Sequence, residues 1–169
     1  MSRLYEKGLT YLKSAKHAWT QRFEDDMNID LACFLLQQSI EFLLKYSVEL
    51  SGQKYVENHD LRAQINKLKN AGIQNDVLIK IQEKASTYNK WETETRYKDN
   101  FSVVSSDVEE AISLCEELIS FINILREQYS NVMDTEAINW CRNNAPEALK
   151  TLSDDELWNE MKDIYFKYK

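Results

Sequence analysis

The stretch that decides the fold is residues 29–50, IDLACFLLQQSIEFLLKYSVEL. Apolar side chains recur in it at the three- and four-residue steps of an α-helix, so the pattern predicts a helix over this whole segment. Further apolar residues, such as Phe34 and Phe42, lie off the main stripe. A helix that is apolar on nearly every side is typical of the centre of a bundle. We therefore predict an all-α protein built around this segment.

Further helices are predicted on both sides of this central segment. Gly52 follows it directly, and both Gly52 and Gly72 suit the left-handed backbone that ends many helices. Residues 106–109, Ser-Asp-Val-Glu, have the pattern of a capping box and predict the start of another helix. The expected helices cover about residues 3–23, 29–50, 59–71 with Asn58 as N-cap, a stretch from Asn75 or Asp76 through Tyr88, and about residues 107–130.

The C-terminal part of the chain carries weaker helix signals. A short helix is expected around Trp140, and Pro146 would stop it. Residues 153–156, Ser-Asp-Asp-Glu, form a second capping box that opens a last helix. We predict an up-and-down bundle of four or five helices over residues 1–131, and a short helical C-terminal extension over residues 132–169 that packs on the bundle or on a partner.

The composition excludes several classes of protein. With three glycines and one proline, the chain has too few turn residues for an all-β fold and no glycine cluster for a phosphate-binding loop. Cys33, Cys115 and Cys141 are widely spaced, which argues against a zinc site or a disulfide framework and favours buried thiols in a reducing compartment. No Glu-x-x-His pair suits a di-iron centre, and no apolar run suits a membrane span. We expect a cytoplasmic protein with no metal and no cofactor.

Charge is unevenly distributed along a chain whose net charge is −7. Residues 54–98 carry nine basic and six acidic side chains, whereas residues 99–133 carry one basic and seven acidic ones. The positive stretch is either a local patch that attracts the phosphate of a nucleotide or RNA, or a set of lysines that only solvates two helices. The residues that would form the patch are Arg62, Lys67, Lys69, Lys80, Lys84, Lys90, Arg96 and Lys98.

Three polar residues near the central helix are candidates for a site. Glu41 interrupts the apolar surface of the central helix, and its i+4 neighbour Lys45 is the expected ion-pair partner. His59 precedes the next helix, where its imidazole can pack against a neighbouring helix, bond to a carboxylate or contact a ligand. The other histidine, His17, is predicted to lie on the surface of the first helix.

A second group of candidates lies near the end of the fourth helix. Trp91, Arg96 and Tyr97 combine aromatic faces with a guanidinium group, a combination that can stack on a base and hold a phosphate. The same residues also fit a structural role, in which the aromatic side chains seal the end of the bundle and Arg96 neutralises helix carbonyls. Both interpretations remain open at this point.

These residues, in this order, resemble the HEPN domain, a nucleotide-binding domain of higher eukaryotes and prokaryotes. The resemblance rests on residues 30–45, on Gly52, on His-Asp-Leu at residues 59–61 and on Thr-Arg-Tyr at residues 95–97. It implies a bundle of four or five helices that forms a homodimer. Many members of the family accompany a nucleotidyltransferase, and others are RNases of toxin–antitoxin or defence systems.

The nuclease members of this family carry an arginine followed, after four to six residues, by a histidine. Counted from Arg96, that histidine would occupy position 101, 102 or 103, where this chain has Phe101, Ser102 and Val103. The resemblance therefore implies a binding module without catalytic residues. Its candidate ligand-binding residues are Glu41, Lys45, His59, Trp91, Arg96 and Tyr97.

Three functions follow as hypotheses. The first is a non-catalytic module that binds a nucleotide or RNA-type ligand or a partner nucleotidyltransferase. The second is an RNase of a toxin–antitoxin or defence system, in which Arg96 and His59 replace the usual motif. The third is a structural interaction bundle whose acidic C-terminal segment docks a partner protein.

Overall fold

A computed structural model describes the backbone of residues 2–97 and 103–168, and their side chains except those of residues 96–97, 129–136, 155, 159, 163 and 166–168. All regular structure within these residues is helical, which confirms the predicted all-α class. The elements are α1 (Arg3–Thr20), α2 (Met27–Leu50), α3 (Leu61–Asn70), α4 (Asp76–Tyr97), α5 (Ser105–Asn144), a short 3-10 helix (Glu147–Leu149) and α6 (Asp154–Tyr168).

The central helix of the bundle is α2, as its apolar pattern predicts. It packs against α1, α3, α4 and α5, and its longest contact is with α1. Because neighbours cover it on several sides, its apolar residues lose water on more than one face. The fully buried side chains of α2 include Leu36, Ile40, Leu43 and Leu44.

The contact between α1 and α2 depends on a glycine within α1. A Cβ atom added at Gly8 would lie 2.7 Å from Cγ of Leu43, which is closer than real Cβ atoms approach their neighbours. At the same place Ser39 Oγ of α2 donates a hydrogen bond to the carbonyl of Gly8 at 2.8 Å. Gly8 therefore allows the two backbones to come close together.

The two remaining glycines end helices, as predicted. Gly52 has a φ angle of 74° and Gly72 one of 77°, both in the left-handed region. Each lies directly after a helix, and the same two backbone hydrogen bonds form at both helix ends. At the end of α3, one of the two joins the N–H of Ile73 to the carbonyl of Leu68 at 3.0 Å. This is the Schellman arrangement, which satisfies carbonyls that a helix end leaves without partners.

The N-cap of α3 differs from the prediction. Asn58 was the expected cap, but α3 begins at Leu61 and Asp60 caps it by accepting a hydrogen bond from the N–H of Arg62 at 3.0 Å. The Asn58 side chain instead accepts from the N–H of Asp60 at 3.1 Å. Asparagine and aspartate are comparable caps, so the backbone path of the preceding loop decides between them.

The prediction for α5 was wrong at both ends. The helix begins at Ser105, its N-cap residue is Val104, and no side chain caps it, so the predicted capping box at residues 106–109 does not form. It then continues to Asn144 rather than ending near residue 130. No glycine or proline interrupts this stretch, and the helix ends where Pro146 requires an extended conformation of the preceding residue, whose ψ angle is 144°.

The last helix packs on the far end of α5. Cys141 and Ala145 meet Leu157 and Met161 of α6 in a small apolar cluster that is separate from the main core. The capping box at residues 153–156 is confirmed, because the N–H of Ser153 donates to Glu156 at 3.0 Å and the N–H of Glu156 donates to Ser153 Oγ at 3.4 Å. Ser153 Oγ also donates to the Glu156 carboxylate at 2.7 Å. These bonds lower the pKa of Glu156. The predicted domain boundary after residue 131 falls within α5.

The cysteines are core residues, as predicted. All three are buried free thiols. Burial raises the pKa of Cys33 and of Cys115 to about 12, so both remain protonated near neutral pH. Within the described residues, no helix is both long enough and apolar enough to cross a membrane.

Replacing Gly8 by alanine is expected to lower the free energy of unfolding by about 1 kcal/mol. Alanine favours a helix over glycine by about 1 kcal/mol, but overpacking a filled core costs roughly 1–3 kcal/mol. In a Leu43→Ala background the added methyl group has room, so Gly8→Ala should there be neutral or stabilising. Urea denaturation of the wild type, the two single variants and the double variant measures this. The same loss in both backgrounds would contradict the steric explanation.

Candidate functional site

A row of polar residues runs along one side of the otherwise apolar α2. Gln37, Glu41 and Lys45 are four residues apart and therefore share a face, and Gln38 lies beside the first of them. Their exposed fractions are between 0% and 8%, so the whole row is buried. Buried polar groups are costly unless they are hydrogen-bonded, so each of these side chains needs a partner inside the protein.

The Glu41 carboxylate is the centre of this row. Its Oε1 lies 2.7 Å from Nζ of Lys45, which confirms the predicted ion pair. Its Oε2 accepts from Nε2 of Gln37 at 3.1 Å and lies 3.0 Å from Nδ1 of His59. Both carboxylate oxygens are therefore occupied, and three partners share the charge. Lys45 also faces the ring of Tyr55, with Nζ 5.4 Å from the ring centroid.

His59 bridges this buried row and the surface. Its Nδ1 faces Glu41, and its Nε2 lies 3.8 Å from a carboxylate oxygen of Glu92 on α4. Because a carboxylate only accepts hydrogen bonds, the geometry assigns a proton to Nδ1. The side chain is 59% exposed, in contrast to 2% for that of Glu41. A buried carboxylate thus orients an imidazole that is itself more than half exposed.

The loop before α3 is fixed at several points, and this positions the histidine. The buried Gln64 side chain accepts from the N–H of Val56 at 3.1 Å and donates to its carbonyl at 2.7 Å. Asn89 of α4 accepts from the N–H of Leu61 at 3.2 Å and donates to the Asp60 carboxylate at 2.9 Å. The loop is therefore attached both to the helix that follows it and to α4.

Of the second group of candidates, Trp91 does not lie on the surface. Trp91 is only 2% exposed, and its ring packs against that of Tyr88 with centroids 4.8 Å apart. A buried ring cannot stack on a base, so the sealing role is the one that this geometry supports for Trp91. Arg96 and Tyr97 belong to the last turn of α4, and their side chains lie outside the described residues.

The basic stretch is partly neutralised by the acidic helix that follows it. Lys80 lies 2.7 Å from Glu117, and Lys84 lies 3.1 Å from Asp107 and 2.7 Å from Glu110. These contacts raise the pKa of both lysines. The two lysines therefore connect α4 to α5 and are not free cations for a phosphate. For Lys80 and Lys84, the positive charge of the basic stretch therefore reflects ion pairs between α4 and α5.

Several residues of the site were not among the predicted candidates. Gln37 and Gln38 have a local signal, because two adjacent amides interrupt an apolar helix one turn before Glu41. Glu92 and Asn89 have none, since they reach His59 and its loop only through the packing of α4. Among the described residues, no group of three histidines, cysteines or acids has the geometry to hold a metal ion.

The fold and this site define a class of protein, namely a helical bundle with a buried polar row on its central helix. Residues 1–125 match the HEPN domain family. This is more than half of the chain, so the protein belongs to that family, and the resemblance seen in the sequence is confirmed. Membership supports a module related to nucleotides or RNA. No curated protein and no solved structure matches the chain.

Replacing Glu41 by alanine is expected to lower the free energy of unfolding by about 3–5 kcal/mol, because it leaves the buried Lys45 ammonium group without its counter-charge. Glu117→Ala is the matched control. Its carboxylate also lies 2.7 Å from a lysine, but the Glu117 side chain is 41% exposed, so no measurable loss is expected. Urea denaturation measures the free energy of unfolding of both variants. Equal losses would contradict the explanation that burial makes the Glu41–Lys45 pair the costlier one to break.

Proposed function

We propose that this protein is a non-catalytic HEPN module that binds a nucleotide or RNA-type ligand, with His59 as the contact and Glu41 as the residue that positions it. The observation that carries this proposal is the orientation of His59 by a buried carboxylate, while 59% of the His59 side chain stays exposed. An imidazole held in this way can donate to or accept from a ligand without first losing rotamer freedom. The homodimer and the nucleotidyltransferase partner implied by the family belong to the same proposal.

Two exposed cations next in sequence to the Asp60–Asn89 contact support a phosphate as part of the ligand. Arg62 and Lys90 are both exposed, and each lies within two positions of a residue that takes part in the contact between Asp60 and Asn89. Both cations are therefore close in sequence to the contact that holds the histidine segment on α4. Two cations on an acidic protein suit a short, localised anion better than a long duplex.

The His59→Ala variant is expected to bind nucleotide or single-stranded RNA about tenfold more weakly or worse, because a hydrogen bond to a charged group contributes about 1.5–3 kcal/mol. The matched control is His17→Ala, since His17 is the other histidine of the chain and lies on α1. Calorimetric titration with ATP and with a short single-stranded RNA gives the affinities. No heat from either ligand with the wild-type chain would reject the binding proposal.

An RNase is the second candidate, and the contact between Glu41 and His59 is what favours it. A carboxylate that orients an imidazole is the arrangement that general acid–base catalysis uses. Against it stands the absence of a histidine at positions 101–103, where the nuclease motif would have one.

The two candidates separate in a cleavage assay. The non-catalytic proposal expects single-stranded RNA and tRNA to stay intact over long incubations with the purified chain, because the chain lacks the histidine of the motif. Product analysis on denaturing gels is the measurement. Cleavage by the wild-type chain that disappears in both His59→Ala and Glu41→Gln would instead establish the RNase and assign its acid–base group.

A further inference from the structure

His59 and Glu92 face each other as two hydrogen-bond acceptors. In a neutral imidazole the proton belongs to Nδ1, which lies 3.0 Å from the Glu41 carboxylate, so Nε2 carries a lone pair. That Nε2 lies 3.8 Å from Oε1 of Glu92, which is too long for a hydrogen bond. A carboxylate also accepts and does not donate. Neither acceptor therefore satisfies the other, and a group that joins them must donate to both.

The network behind the imidazole does not require a second cation. The Lys45 ammonium group lies 2.7 Å from Glu41 and balances its charge. Gln37 Nε2 donates to the same carboxylate oxygen that faces His59, at 3.1 Å. At about pH 8 a histidine side chain is ordinarily neutral. Under that condition His59 presents a lone pair, and not a second N–H, on the side of Glu92.

Packing sets the separation of the two acceptors. Glu41 holds the imidazole from one side, and α4 carries Glu92 on the other. One turn before Glu92, the Asn89 side chain binds the N–H of Leu61 and so fixes the loop to the same helix. Solvent still reaches both side chains, since that of His59 is 59% exposed and that of Glu92 18%. The pair is therefore preorganised for a ligand that arrives from outside.

The chemistry of the pair selects an amino group. A phosphate or carbonyl oxygen is itself an acceptor, and a hydroxyl has one hydrogen and can donate to one of the two. An amino group has two hydrogens, and a nitrogen about 2.8 Å from each acceptor fits the observed separation. A metal ion needs more ligands, and in the part of the chain that the structure describes no three histidines, cysteines or acids can hold one. The phosphate of a nucleotide therefore lies outside this gap.

We propose that His59 and Glu92 together recognise the exocyclic amino group of a nucleobase, as in adenine or cytosine, and select it against a keto base. This inference rests on the proposed function and names the part of the nucleotide that the site recognises. A keto base puts a carbonyl oxygen where the amino group would be, and that oxygen meets two acceptors and no donor. Carboxylates read the amino group of cytosine in nucleic acids for the same reason.

The test is calorimetric titration of the full chain at about pH 8 with ATP against ITP and with CTP against UTP. Each pair has the same triphosphate, so the ratio of the two dissociation constants isolates the contact with the base. The amino member of each pair should bind about tenfold or more tightly. Equal affinities within both pairs would overturn this inference and leave the nucleotide binding of the proposed function intact. No binding of any of the four would overturn both.

Glu92→Gln tests the assignment of the residue. It replaces one acceptor oxygen with an amide that also donates, so a keto base gains a partner and the amino-to-keto preference should fall by about tenfold. The matched control is Glu83→Gln, which makes the same charge change at an exposed position of α4. Nine residues are two and a half turns, so Glu83 lies on the opposite face of the helix.

The preference ratio separates recognition from a structural or purely electrostatic role of Glu92. A loss of folding or a change of net charge alters the affinity of both members of a pair alike, and the ratio stays the same. Glu83→Gln should therefore keep the wild-type ratio. If Glu92→Gln also keeps it, or if both variants change it equally, Glu92 does not read the base.

Discussion

The candidate site depends on one constraint, which is that the carboxylate of Glu41 lies inside the bundle. A charge that has lost its water must be compensated by charges and hydrogen bonds of the protein. Lys45 and Gln37 provide two of these from the same helix, and His59 provides the third from the loop before α3. The loop is thereby bound to α2, and the histidine has one orientation.

The packing around α2 leaves the Glu41 carboxylate no other source of compensation. Its neighbour α1 approaches closely at Gly8, and α3, α4 and α5 cover other sides. The polar row consequently has little access to water, and its side chains must satisfy one another. His59, which bonds to this row from the loop before α3, differs from it, because more than half of its side chain is exposed. It is the point at which the internal network can contact something outside the protein, and Gln64 and Asn89 keep the surrounding loop in place.

The features that were predicted correctly from the sequence are those that local interactions determine. Apolar periodicity located the helices, and Gly52 and Gly72 ended two of them because a left-handed residue suits a helix end. The continuity of α5 beyond residue 130 was missed, because two helices were expected there, whereas the stop before Pro146 was predicted correctly. The ion pair of Glu41 and Lys45 was predictable at i,i+4 spacing. The contacts of His59 with Glu41 and Glu92 cross between elements, so the sequence left the first open and gave no signal for the second.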